Sequence, residues 1–153
     1  MNILEFQIVS ESTRVPEEQQ FQYWVDSVLS NDAEDSEVVI RVVDEEEMTR
    51  FNEQYRDKKG ATNILSFSYE APAGFESALL GDLLLCAPVI ETEALLQNKP
   101  LNHHWAHMIV HGILHLLGYD HVDDADATEM EAKEIEILKK IKIKNPYQER
   151  VSE

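Results

Sequence analysis

All six histidines fall between positions 103 and 121, and three of them carry the spacing of a metal site. A turn of α-helix holds 3.6 residues, so His111 and His115, four apart, project from one helix face one turn from each other. Two imidazoles so placed can bind one ion without distorting the backbone. Gly118 follows where such a helix would end, and glycine there admits the left-handed C-cap that turns a chain back sharply. That turn carries His121 toward the same face. The pattern predicts one transition-metal ion, zinc by preference, held by His111, His115 and His121, with a fourth position open to water as in catalytic sites. A single histidine on a buried helix is usually a core or surface residue. Three at this spacing, with glycine at the turn, favour the metal.

The neighbours refine the chemistry. His107 extends the stripe by one turn; a fourth ligand or a partner that supports a ligand is one reading, and capping the helix or facing solvent is the expected one, while His103 and His104 read as structural. Trp105, Met108, Ile109, Ile113 and Leu116 have the spacing of a packed helix face. The histidine spacing is that of the metzincin peptidases, in which a glutamate follows the first histidine and takes the proton of the attacking water. Here Gly112 stands in that place, and a glycine carries no proton. The usual peptidase mechanism therefore lacks its general base.

The elements that must position these residues are legible in outline. Ile3 to Val9 alternates as a strand, and Pro16 opens a helix bearing Phe21, Trp24, Val25, Val28 and Leu29. Glu37 to Val43 reads as a buried strand. Asp44, with Glu47 three residues on, has the form of a capping box for a helix to about Tyr55, whose inner face would be Met48, Phe51 and Tyr55. Ile64 to Tyr69 and Ala78 to Ala87 read as strands, the second with a possible bulge at Gly81. Helices follow over Pro88 to Gln97, from an Asn102 cap over His103 to Leu117, and from Asp123, Asp124 or Asp126 to about Ile143. The expected fold is a single α/β (α+β) domain over residues 1–153, a small mixed sheet packed with helices, the metal site lying on one helix and the turn after it.

Composition narrows the function classes. The chain of 153 residues has 13 Lys and Arg against 30 Asp and Glu, a balance that repels nucleic acid unless the cations are grouped. They are grouped: Arg50, Arg56, Lys58 and Lys59 form one cluster, and Lys139, Lys140, Lys142 and Lys144 another, which suits a helix C-terminus. Cys86 is the sole cysteine, so no intrachain disulfide forms. No apolar run is long enough to span a bilayer and no secretory signal opens the sequence, so a cytoplasmic setting without membrane association is expected.

With Gly112 in its place, the segment from His111 to His121 resembles the signature of the YbeY family of bacterial endoribonucleases, H-G-x-L-H-L-x-G-Y-D-H, at every specified position. Asn52, Tyr55 and Arg56, the run Thr62-Asn63-Ile64-Leu65-Ser66-Phe67 (T-D-V-L-S-F in the family) and Leu80-Gly81-Asp82 extend the resemblance over most of the chain. Asn63 stands where the family has aspartate. The resemblance implies a small α/β domain with its metal site in a cleft, and a zinc-dependent, single-strand-specific endoribonuclease acting in 16S rRNA maturation, small-subunit assembly and ribosome quality control. It implies rRNA and the small ribosomal subunit as partners, with a small-subunit ribosomal protein and an assembly GTPase. It makes Arg56 the functional arginine, catalytic beside His111 and His115. The chemistry is compatible: a metal polarises a phosphoryl oxygen and activates water, and a guanidinium holds two phosphate oxygens at once. Asp120 is placed to orient His121 or take a proton, and equally to serve the turn. Two other readings compete: a metal-dependent hydrolase of another substrate such as a peptide, and a non-catalytic ribosome-assembly factor whose metal is structural.

Overall fold

The computed structural model describes residues 2–29, 36–74, 78–119 and 123–147. Among these the chain runs β1 (Ile3–Ile8), α1 (Glu18–Leu29), β2 (Glu37–Val43), α2 (Glu45–Arg56), β3 (Ile64–Ser68), β4 (Leu79–Cys86), α3 (Ala87–Leu96), α4 (Leu101–Leu116) and α5 (Asp124–Lys140). The strands form one sheet in the order β1-β2-β4-β3. The first three are parallel, and β3 closes one edge antiparallel to β4. This is the mixed sheet with packed helices that the sequence predicts. Opposite Glu37 and Val38 the register steps from Leu79 to Gly81, so the expected bulge is present. No helix among the described residues is long and apolar enough to cross a membrane.

Strand alternation assigns the two faces of the sheet. Val38, Ile40, Val42, Leu83 and Leu85 point into the larger core with α1 and α4, and Met130, Ile137 and Leu138 of α5 close it. Val43, Leu65, Leu84 and Cys86 point the other way, to Met48 and Phe51 of α2. β4, buried from both sides, accordingly reads Leu83-Leu84-Leu85-Cys86 without a polar break. Phe21 of α1 anchors the larger core, its ring edge-on to Trp24 at 5.7 Å and to Trp105 of α4 at 5.6 Å.

α4 is the central helix, with eleven of its sixteen residues buried. Its approach to the sheet is set by Gly112: a Cβ at that position would lie 2.7 Å from Ile64 Cδ1 and 2.8 Å from Leu83 Cδ2. Its end is a Schellman turn. Gly118 has φ +103°, its N–H donates to His115 O, and the Tyr119 N–H donates to Leu114 O.

Several expected local features yield to tertiary partners. Asp44 precedes α2, yet its carboxylate takes the Ser10 hydroxyl and the Glu11 N–H instead of capping. Glu47 is held by the Arg41 guanidinium, so the capping box does not form. α4 starts at Leu101, and Pro100 replaces Asn102 as the cap, its carbonyl accepting from His103 and His104. α1 starts two residues after Pro16, and α5 stops at Lys140, three residues short of Ile143. Tyr55, expected on the inner face of α2, is 57% exposed; Met48 and Asn52 are the buried residues there.

Candidate metal centre

The histidines of α4 form a stripe down one side of the helix. Ring centroids are 6.2 Å apart from His104 to His107, 6.2 Å from His107 to His111 and 4.6 Å from His111 to His115. At the upper end of the stripe His104 Nε2 meets Glu93 of α3 at 2.9 Å, and Asn63, at the head of β3, donates from Nδ2 to the same carboxylate at 3.1 Å. Burial pushes the Glu93 carboxyl up, but these two hydrogen bonds prevail and hold it below the usual carboxylate range. An aspartate at position 63 would set a second carboxylate against Glu93 with no proton to donate, so asparagine suits this chain.

The middle of the stripe is organised by Glu134 of α5, which is fully buried. One carboxylate oxygen takes a hydrogen bond from His111 Nδ1. The other takes the Tyr147 hydroxyl and, at 3.2 Å, His107 Nε2. Burial pushes the pKa of this carboxyl up, yet the three donors outweigh it and bring the pKa down to about 2. Burial holds His107 toward the neutral form, and burial together with the facing carboxylate pushes the Tyr147 phenol up. His107 thus neither caps α4 nor faces solvent. It is buried, its Nδ1 without a partner among the described residues and its Nε2 donating to Glu134.

This arrangement fixes the tautomer of His111. With Nδ1 donating to Glu134, the lone pair of a neutral ring resides on Nε2. That nitrogen lies 3.1 Å from Nε2 of His115. Two ring nitrogens so close share either a proton or an ion, and two nitrogens bound to one tetrahedral zinc lie roughly 3.3 Å apart. His107, His111 and Glu134 also offer donor atoms within 4.8 Å of one another and could hold an ion as a group. In that group, however, the Glu134 oxygens are committed to hydrogen bonds with both histidines and Tyr147. The fold therefore brings His111 and His115 together as predicted. The predicted third ligand, His121, and its neighbour Asp120 lie outside the described residues.

Arg56 is the last residue of α2, exposed, on the sheet face opposite α4. No hydrogen bond joins it to a histidine among the described residues. Glu134, Tyr147 and Glu93 escape a reading of motifs. The one signal for Glu134 is its place among Met130, Ile137 and Leu138 on the buried face of an otherwise acidic helix.

Comparison with known proteins agrees with this geometry. The family model described as endoribonuclease YbeY matches residues 6–142. A protein named endoribonuclease YbeY from Colwellia psychrerythraea is 48% identical over 152 residues, covering 97% of this chain and 98% of the relative. The solution structure of TM1509 from Thermotoga maritima shares the fold, with TM-score 0.58 at 19% identity, over 97% of this chain and 99% of that one. On the histidine motif, the fold and these matches together, the chain belongs to the YbeY endoribonuclease family.

Proposed function

We propose that this protein is a zinc-dependent, single-strand-specific endoribonuclease that acts in 16S rRNA maturation, and through it in small-subunit assembly and ribosome quality control. The observation that carries the reading is the pair of Nε2 atoms of His111 and His115 at 3.1 Å, one of them oriented by a buried carboxylate, in a chain of an endoribonuclease family. His121 is the proposed third ligand, and an all-imidazole set suits zinc. When bound, such an ion supplies Lewis acidity toward a phosphoryl oxygen and toward water.

The chain's own residues have distinct parts in this reading. Glu134 fixes the tautomer and angle of His111. Arg56 is proposed to grip phosphate oxygens; it is exposed and makes no ion pair among the described residues, so its guanidinium is available. Gly112 argues for RNA over peptide. A side chain there would enter the contact with Ile64 and Leu83, so a carboxylate at that position could not reach the histidine side of α4. Peptide hydrolysis needs such a group to protonate the leaving amine, whereas RNA carries its own 2′-hydroxyl nucleophile. The small ribosomal subunit, one of its proteins and an assembly GTPase in the cytoplasm are the proposed partners. The test sets zinc-loaded protein against single-stranded RNA and casein in parallel, with His115→Ala as control. RNA cleavage that vanishes in the control, with casein intact, is expected. Casein hydrolysis that vanishes in the control, with RNA intact, would overturn the reading.

A further inference from the structure

We infer that Tyr55, with the cations at the end of α2, forms a stacking platform for an unpaired base of single-stranded RNA. The inference rests on the ribonuclease reading and names a substrate contact within it. Tyr55 is 57% exposed, yet its ring is held firmly. It stacks on Phe51 with centroids 5.5 Å apart and planes 22° apart, and meets Phe67 of β3 edge-on at 5.7 Å. Phe51 and Phe67 are themselves 6.3 Å apart, so three rings form one cluster whose outer member faces solvent. A positioned aromatic ring with open surface is what base stacking requires, because little side-chain freedom remains to be lost.

Charge selects nucleic acid as the occupant. The chain carries 13 cations against 30 carboxylates, but from Arg50 to Gly60 there are four cations, Arg50, Arg56, Lys58 and Lys59, against Glu53 and Asp57. All four are exposed. Asp57 takes the left-handed conformation, φ 53°, and ends α2, and the two lysines follow it three and four residues after the tyrosine. A groove of about 270 Å³ beside the ring cluster is lined by Phe51, Phe67, Glu5, Asp82 and Arg41, whose guanidinium is already engaged by Glu47 and Gln7. With that cation committed, Glu5 and Asp82 disfavour phosphate there, and the exposed cations at the end of α2 favour it. Leu65 and Phe67 of β3 face α2, while Ile64 of the same strand packs at Gly112 of α4, so the edge strand β3 separates the platform from the histidine helix. A strand of RNA held at Tyr55 would reach α4 by crossing this one strand.

The test uses the full-length protein and a fluorescent 2′-O-methyl single-stranded oligonucleotide, with binding read by anisotropy. Tyr55→Ala should weaken binding by about tenfold or more, while Tyr55→Phe and Tyr55→Trp bind like wild type. Circular dichroism of each variant checks the fold. The indole introduced by Tyr55→Trp should be quenched by the oligonucleotide and not by an abasic one; the native Trp24 and Trp105 are buried and give a steady background. Lys58→Ala should flatten the salt dependence, and Tyr55→Ala should leave its slope unchanged. Wild-type affinity in a folded Tyr55→Ala, with no quenching in Tyr55→Trp, would overturn the platform and leave the ribonuclease reading standing. No binding by the wild-type chain would sink both.

Discussion

His111 Nδ1 donates to the buried carboxylate of Glu134 while His111 Nε2 lies 3.1 Å from Nε2 of His115. One ring thus joins a helix packed on the sheet to the C-terminal helix and to the candidate metal centre.

The protein is expected to bind about one zinc ion per chain through His111, His115 and His121. Elemental analysis of untagged protein tests this, and full retention by His115→Ala would remove that residue from the set. Affinity should fall as the solution is made acidic, because only the neutral ring binds metal.

Glu134→Gln should weaken zinc binding by about tenfold to a hundredfold while leaving the three proposed histidine ligands themselves in place, since it removes the charge that orients His111. Glu134→Ala should also destabilise the fold by about 3 kcal/mol, because it strips partners from two histidines and Tyr147. The folded-state pKa of Glu134 lies at about 2, below the 4.5 of an unfolded chain. Its stabilising contribution is therefore complete above pH 4.5 and lost as pH falls toward 2. Acid titration of wild type and Glu134→Gln, followed by circular dichroism, should show a smaller pH dependence in the variant over that window.

Arg56→Ala should keep the fold and the metal and lose on the order of a hundredfold in RNA cleavage rate. Its exposure on the last turn of α2 makes a folding defect unexpected. Arg56→Lys should not restore the rate, since an ammonium lacks the planar fork. Single-turnover kinetics on a defined oligoribonucleotide would decide, and a wild-type rate in Arg56→Ala would end the phosphate-clamp idea.

Gly112→Ala should destabilise by about 1–3 kcal/mol through overpacking against Ile64 and Leu83. Gly112→Glu should be worse, because it also buries a charge, and it should create no peptidase activity. Thermal melts together with a casein assay measure both outcomes.

The sequence by itself determined the features that depend on local geometry. His111 and His115 meet because a helix repeats every 3.6 residues, and the turn after them is made by Gly118 as read from the chain. The strand at Glu37–Val43 and the Asp123 cap of α5, which accepts the Asp126 N–H, are local in the same sense. Only the tertiary structure decided the rest, because the partners are far apart in the chain. Glu134 lies 23 residues from His111, on a helix whose acidic composition conceals one inward-facing carboxylate. The sequence suggests a capping or solvent-facing His107, whereas α5 packs the buried carboxylate of Glu134 against it. The capping signal of Asp44 and Glu47 was sound in isolation, but Ser10, Glu11 and Arg41 offered those carboxylates charged or better-placed donors. Gly112 shows the division most clearly. Its lack of a side chain is plain in the sequence as a missing base, while the reason a side chain has no room there is the approach of α4 to Ile64 and Leu83, which exists only once the sheet has formed.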